Sequence, residues 1–320
     1  MTFKGLWEAW RKFWFEPQSV LPLALYRILF GVLILQSLLI HIGTEFLTWY
    51  GPHAIVPIEA VKEFFWHNEP RFDVLLMFPQ EDGWYVGYYI SLVIATIFAT
   101  VGFCTRYSVF YVCLGLITLH HHDPYNINGG DTFLRLTSIF LAMSPCGEAW
   151  SVDNLIKRRR GILVDRIHSP WALRMIQVQL AIAYCDTFWC KIIGAQWLDG
   201  TAVYYAVRLD DMLKINIPFL FDNLFFCKML SWGTIVIECA MWTLVWFKEV
   251  RYYVLIAAFF LHLGIDMSIN LPVFEWAFIF CLVTFIEPKD LEWLEARIKL
   301  ELKQFKEKRA AQKSEQVKPT

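Results

Sequence analysis

A run of about 20 apolar residues is long enough to cross a bilayer as an α-helix, and this chain approaches that length repeatedly. Apolar stretches lie near residues 20–42, 86–103, 107–121, 132–146, 171–191, 229–247, 251–268 and 273–286. In hydrocarbon every backbone N–H and C=O must find its partner within the protein, which leaves helices or a closed barrel. Stretches of this length are helices. The predicted fold class is therefore all-α: a multi-pass transmembrane bundle of about eight spans, with two outer interfacial segments at 43–85 and 192–228. Only 18% of the 320 residues are charged and 57% are hydrophobic, where soluble domains carry roughly 25% charge. A mean hydropathy of +0.42 agrees. This is no ordinary soluble domain, and nucleic acid is not an expected partner.

Three regions follow from the composition. Residues 1–19 read as a cytoplasmic amphipathic segment, because FKGLWEAWRKFWFEP repeats aromatic and basic residues on a helical period. No cleavable signal peptide is expected. Residues 20–288 form the transmembrane domain, and 289–320 a charged cytoplasmic tail, helical and fraying into disorder. With both termini inside, twenty of the 29 lysines and arginines fall on inner segments and six on outer ones, as the positive-inside rule requires. Lys191, the loop at 120–131 and the segment at 43–85 then share the outer face. The expected location is a bacterial cell membrane, or the endoplasmic reticulum in a eukaryote.

The polar residues inside these spans carry the chemistry. A charge at the bilayer centre costs about 2.5–3.5 kcal/mol even on insertion scales. Arg27, Arg135, Asp186, Glu238, His262, Asp266 and Glu275 are therefore expected to point into the bundle. They either pair across helices (Arg27 or Arg135 with Asp186 or Glu238) or line a polar pocket. Lys191 closes the fifth span, where a lysine is a snorkelling anchor or an amine shielded enough to act as a base. His120, His121, His122 and Asp123 do not suit one metal ion, since adjacent histidines cannot all face it. A pH-sensitive or hydrogen-bonding loop is expected there, and no metal site. The eight cysteines form no CxxC or Cys/His ligand pattern and read as small buried residues. In NGGD the glycines make a turn and Asp131 is placed as the N-cap of the fourth span.

Together these stretches resemble the horizontally transferred transmembrane (HTTM) domain, the membrane module shared with vitamin K-dependent γ-glutamyl carboxylase. The resemblance rests on LALYRILFGVLIL at 23–35, NGGDTFLRL at 128–136, WSVD at 150–153, and Lys191 with WLDGTAVYYAV at 197–207. HLGIDMSINLPVFEWAFIFCLVTFIEP at 262–288 completes it. The resemblance implies Lys191 as the base that deprotonates a reduced quinone such as vitamin K hydroquinone. It implies His262 as a supporting group, with Asp131 standing where the carboxylase has a histidine. Oxidation or carboxylation at the outer face follows, with a lipid-quinone or peptide as substrate. A polar tail follows the eighth span where the carboxylase has a large extracytoplasmic domain, so processive carboxylation of a protein is not expected. The alternative is a non-catalytic membrane partner, an immunity, maturation or transport component with the same fold.

Overall fold

The computed structural model describes residues 2–66 and 71–316; Met1, positions 67–70 and the last four residues of the tail lie outside the described residues. Each of the eight apolar stretches is helical. Helix α1 spans Phe3–Phe15, and α2 spans Leu21–Gln36 before running through a widened π turn at Ser37–Ile42 into α3, Phe46–Tyr50. Within residues 43–85, α4 spans Ile58–Phe65. A hairpin of α5 (Asp82–Val101) and α6 (Thr105–His122) follows, then α7 (Gly129–Ala142), α8 (Val152–Arg159) and α9 (Trp171–Ile192). The short helices α10 (Ala195–Leu198), α11 (Ala202–Ala206) and α12 (Pro218–Phe221) lead to α13 (Leu224–Thr243), α14 (Arg251–Ser268) and α15 (Phe274–Leu282). Helix α16, Pro288–Gln316, carries the charged tail. The only named strands among the described residues are β1 (Gln18–Ser19) and β2 (Ile167–His168), which pair antiparallel.

Three helical stretches, Leu21–Tyr50, Asp82–Val101 and Leu224–Trp246, are long and apolar enough to cross a membrane by length and composition, and Phe274–Phe285 is apolar but shorter. The rest fall short for physical reasons. Helix α9 holds Arg174, Asp186 and Lys191, α14 holds His262 and Asp266, and α7 has only 14 residues. On α5 the residues Ile90, Ile94, Ile97 and Phe98 are exposed, while Tyr85, Leu92, Thr96 and Ala99 are buried. An outward face this apolar suits hydrocarbon and not water. Helix α2 lies at the centre, with Tyr26, Phe30 and Leu33 fully buried against α5, α7 and α15. A Cβ on Gly31 would overlap the Thr100 side chain, so α2 and α5 meet at near-backbone contact.

Arg27 corrects the expected interhelical pairing. It is fully buried, yet its partners are backbone carbonyls: Nη1 donates to Cys146 at 2.7 Å and Ala149 at 3.4 Å, and Nη2 to Trp150 at 2.6 Å. Three carbonyl dipoles take the two terminal nitrogens of the delocalised guanidinium, and its buried Nε is left without a partner. The same knot holds Asp153, which accepts from Cys104 N at 2.9 Å and from the backbone N and hydroxyl of Thr105 at 2.7 Å each. It thereby covers the open start of α6. Trp150 and Cys104 adopt φ of 45° here, a conformation costly for non-glycine residues and stabilised by these bonds. The LYRIL and WSVD stretches therefore meet in one structural device.

Helix α16 is tied to the body by Arg166 to Glu295 at 2.9 Å and Arg251 to Glu287 at 3.3 Å. Burial pushes the Glu295 carboxyl up, but hydrogen bonds from Lys299 and Arg166 outweigh it and hold the group below its ordinary 4.5.

Arg27→Leu leaves three carbonyls unpaired and is expected to cost on the order of 3 kcal/mol, read as a lower thermal midpoint in detergent. Arg27→Lys recovers only part of this, since an ammonium cannot fork across the carbonyls. For α16 the folded carboxyl lies below its unfolded value, so the Glu295 contribution is complete above that value and lost as pH falls through the folded one. The hydrogen-exchange protection of α16, corrected for the pH dependence of intrinsic amide exchange, is expected to stay constant from neutral pH down to the carboxylate range and then to fall. Glu295→Gln removes the step.

Candidate functional site

On α9, Tyr184 and Lys191 are seven residues apart and so share one helix face. That face packs along α13, and there Lys191 Nζ donates to Glu238 Oε1 at 2.8 Å. The ion pair is largely shielded, with side-chain exposures of 18% and 9%. The ammonium also lies 5.0 Å from the centre of the Trp197 ring, a cation–π contact from the turn that follows α9. The turn is fixed in place by Trp232 Nε1 donating to Leu198 O at 3.1 Å and by Ser231 Oγ accepting from Val203 N at 3.1 Å. WLDGTAVYY thus functions as the wall of the lysine site.

A second buried chain lies beside the pair. His262 on α14 meets the Tyr184 hydroxyl through Nε2 at 2.6 Å and Glu275 Oε2 through Nδ1 in a short hydrogen bond. Its ring stacks on Phe278 at 5.2 Å. All protons are placed if Tyr184 donates to Nε2 and Nδ1–H donates to the Glu275 carboxylate. Glu238 lies close enough to Tyr184 and His262 for its charge to act on both. Four helices, α9, α13, α14 and α15, therefore converge on one polar centre. Two of its buried oxygens, Glu238 Oε2 and Glu275 Oε1, have no hydrogen-bond partner, and such groups need an explanation in a native fold.

Glu275 reaches His262 because of the turn before it. Val273 has φ of 68°, which is strained for a β-branched residue. Asn128 Nδ2 donates to Pro272 O at 3.0 Å and holds the turn. Phe274 closes over Gly129 and Gly130, where a Cβ at position 130 would collide with its backbone. The NGGD glycines are there for this close approach.

The remaining expected residues go elsewhere. Asp131 is not the N-cap of α7: Asn128 is, and Asp131 Oδ2 accepts from Asn128 N at 2.9 Å from the third position of a capping box. Asp131 also lines a separate cavity of about 470 Å³ beside the π turn, with His41, Glu45 and His120. Asp186, expected to point inward, lies on the exposed face of α9 and makes none of the described ion pairs. One residue's rotation on a 100° step decides this, and the face it shares is opposite that of Tyr184. Arg135 is half-buried on α7, interacts with the protein, and its charge reaches His120 and His121. Asp266 meets Lys214 at 3.7 Å, at the edge of the bundle. The three histidines diverge: His122 pairs with Asp73 at 2.7 Å, His121 bonds Phe72, and His120 faces the cavity.

Helices with a lipid-compatible exterior and charges turned inward define an integral membrane protein. The HTTM domain matches residues 15–293. The chain belongs to the HTTM family, membrane proteins associated with the vitamin K-dependent carboxylase. No curated protein and no solved structure matches it.

Lys191→Met strands the Glu238 charge and is expected to destabilise by about 3–5 kcal/mol. Lys191→Met with Glu238→Leu removes both charges and is expected to recover most of that loss. A double-mutant cycle on the thermal or denaturant midpoint measures the coupling.

Proposed function

We propose that the protein is a membrane-embedded enzyme in which the Lys191–Glu238 pair accepts a proton from a lipid-soluble hydroquinone. The observation that carries this reading is the pair of orphaned buried acceptors, Glu238 Oε2 and Glu275 Oε1, beside a shielded lysine. A hydroquinone presents two hydroxyl donors, which is the complement of two carboxylate oxygens lacking donors. The rings of Trp197 beside Lys191 and of Phe278 stacked on His262 suit an aromatic ligand. Vitamin K hydroquinone, the cofactor of the related carboxylase, would when bound give up two electrons to dioxygen, and that reaction would supply the driving force for oxidation or carboxylation.

The protein's own part is proton handling. An ammonium is no base, so the lysine proton must first leave. Glu238 Oε1 at 2.8 Å is placed to take it, and exclusion of water favours that neutral amine–carboxylic acid pairing over separated charges. Nζ then has a free lone pair for a hydroxyl proton. His262 is placed to pass a proton between Tyr184 and Glu275, taking one at Nε2 as Nδ1–H goes to the carboxylate. In this reading the chain crosses the membrane eight times with both termini inside, the centre lies near the outer face, and its substrate is a lipid-quinone or a peptide. The excess of lysine and arginine on the segments taken as inner supports that orientation.

A non-catalytic membrane partner is the second reading, favoured by the completeness of the ion pair. Lys191→Arg separates the two. Arginine keeps the charge and the contact with Glu238 but stays protonated. In lipid nanodiscs, K191R is expected to keep the wild-type thermal midpoint and to lose oxidation of added vitamin K hydroquinone by about 10²–10⁴-fold. Equal oxidation by wild type and K191R contradicts the lysine-base reading.

A further inference from the structure

At the opposite end of α9 from Lys191, a cavity of about 360 Å³ opens beneath α1. Its lining holds four cations, Lys12, Arg174, Lys248 and Arg251, against two carboxylates, Glu16 and Glu287. Both carboxylates are already engaged: Glu16 with Lys12 at 3.5 Å, and Glu287 with Arg251 at 3.3 Å and Lys289 at 2.9 Å. Arg174 and Lys248 have no acidic partner among the described residues. The cavity therefore has an excess of two positive charges.

Arg174 is held in place without being neutralised. Its Nε donates to Phe13 O at 3.2 Å and its Nη1 to Gln177 Oε1 at 2.8 Å. Gln177 is itself buried and anchored through Nε2 to Thr284 O at 2.6 Å. Neutral oxygens orient the guanidinium without neutralising it, and it lies near enough to Arg251 for the two charges to repel. Two partly buried guanidiniums facing one space are stable when an anion sits between them.

The surroundings say which anion. Helix α1 buries none of its residues and exposes Phe3, Leu6, Trp7, Trp10 and Phe15. An aromatic amphipathic helix of this kind lies at headgroup depth, and its last turn roofs the cavity through the contact of Phe13 with Trp246. We propose that this cavity binds the phosphate of an anionic lipid headgroup from the leaflet on which α1 rests. Arg174 and Lys248 contact the phosphate oxygens, and the acyl chains leave along the aromatic face. This site is distinct from the Lys191 centre and does not depend on the reading given for it.

The test uses the full purified chain in detergent with three probes: dioctanoyl phosphatidic acid, dioctanoyl phosphatidylcholine and inorganic phosphate. Binding is followed by native mass spectrometry and by the thermal midpoint. Phosphatidic acid is expected to bind and to raise the midpoint, and the other two probes are not. Arg174→Gln and Lys248→Gln are each expected to weaken phosphatidic acid binding roughly tenfold or more, while Lys4→Gln, outside the cavity, leaves it unchanged. Lys248 is exposed, so its variant reports even where R174Q misfolds. Equal binding of phosphatidic acid to wild type and K248Q overturns the proposal. So does an equal midpoint shift from inorganic phosphate or from phosphatidylcholine.

Discussion

A charge removed from water must be paired or neutralised, and in a chain this apolar that requirement decides which helices meet. The Lys191–Glu238 contact at 2.8 Å ties the end of α9 to the middle of α13. Once that register is set, Tyr184 faces His262, and the turn at Val273 brings Glu275 to the other side of the same ring. Between lipid-facing helices there is little hydrophobic driving force, so packing and polar contacts specify the arrangement. Four helices are joined here through two carboxylates, an amine, a phenol and an imidazole.

The family's sequence stretches divide by depth in the bundle. At one end, LYRIL and WSVD build the Arg27 and Asp153 knot, which joins α2, the α5–α6 turn and the chain after α7 by satisfying backbone groups. At the other, NGGD and the segment after His262 lock together so that Glu275 is aimed at its histidine. The first set is scaffold. The second, with Lys191 and WLDGT, shapes the polar centre. Val273 with positive φ and the two unpartnered carboxylate oxygens both belong to that second set, so the strained backbone and the unsatisfied polar groups coincide.

The helices were legible because apolar length is a one-dimensional property, visible in α2, α5 and α13 without any partner. Several pairings were not, because they depend on helix rotation and on backbone the sequence does not display. Asp186 and Tyr184 are two residues apart, yet one faces outward and the other the centre. Arg27 found carbonyls in a loop more than a hundred positions away, a partner that no charge count reveals. Glu275 was visible as a charge in a span, but its tie to His262 depends on a strained turn. Tyr184 carried one readable signal, its spacing of two helical turns from Lys191. Asp131 looked like a cap and proved to be the reciprocal half of one.

Passage of the Lys191 proton to Glu238 on exclusion of water is read directly by infrared difference spectroscopy of the chain in nanodiscs, before and after addition of vitamin K hydroquinone. A protonated-carboxyl band is expected to appear on addition and to be missing in Glu238→Gln. A spectrum in which Glu238 stays a carboxylate throughout, identical for wild type and E238Q, contradicts it.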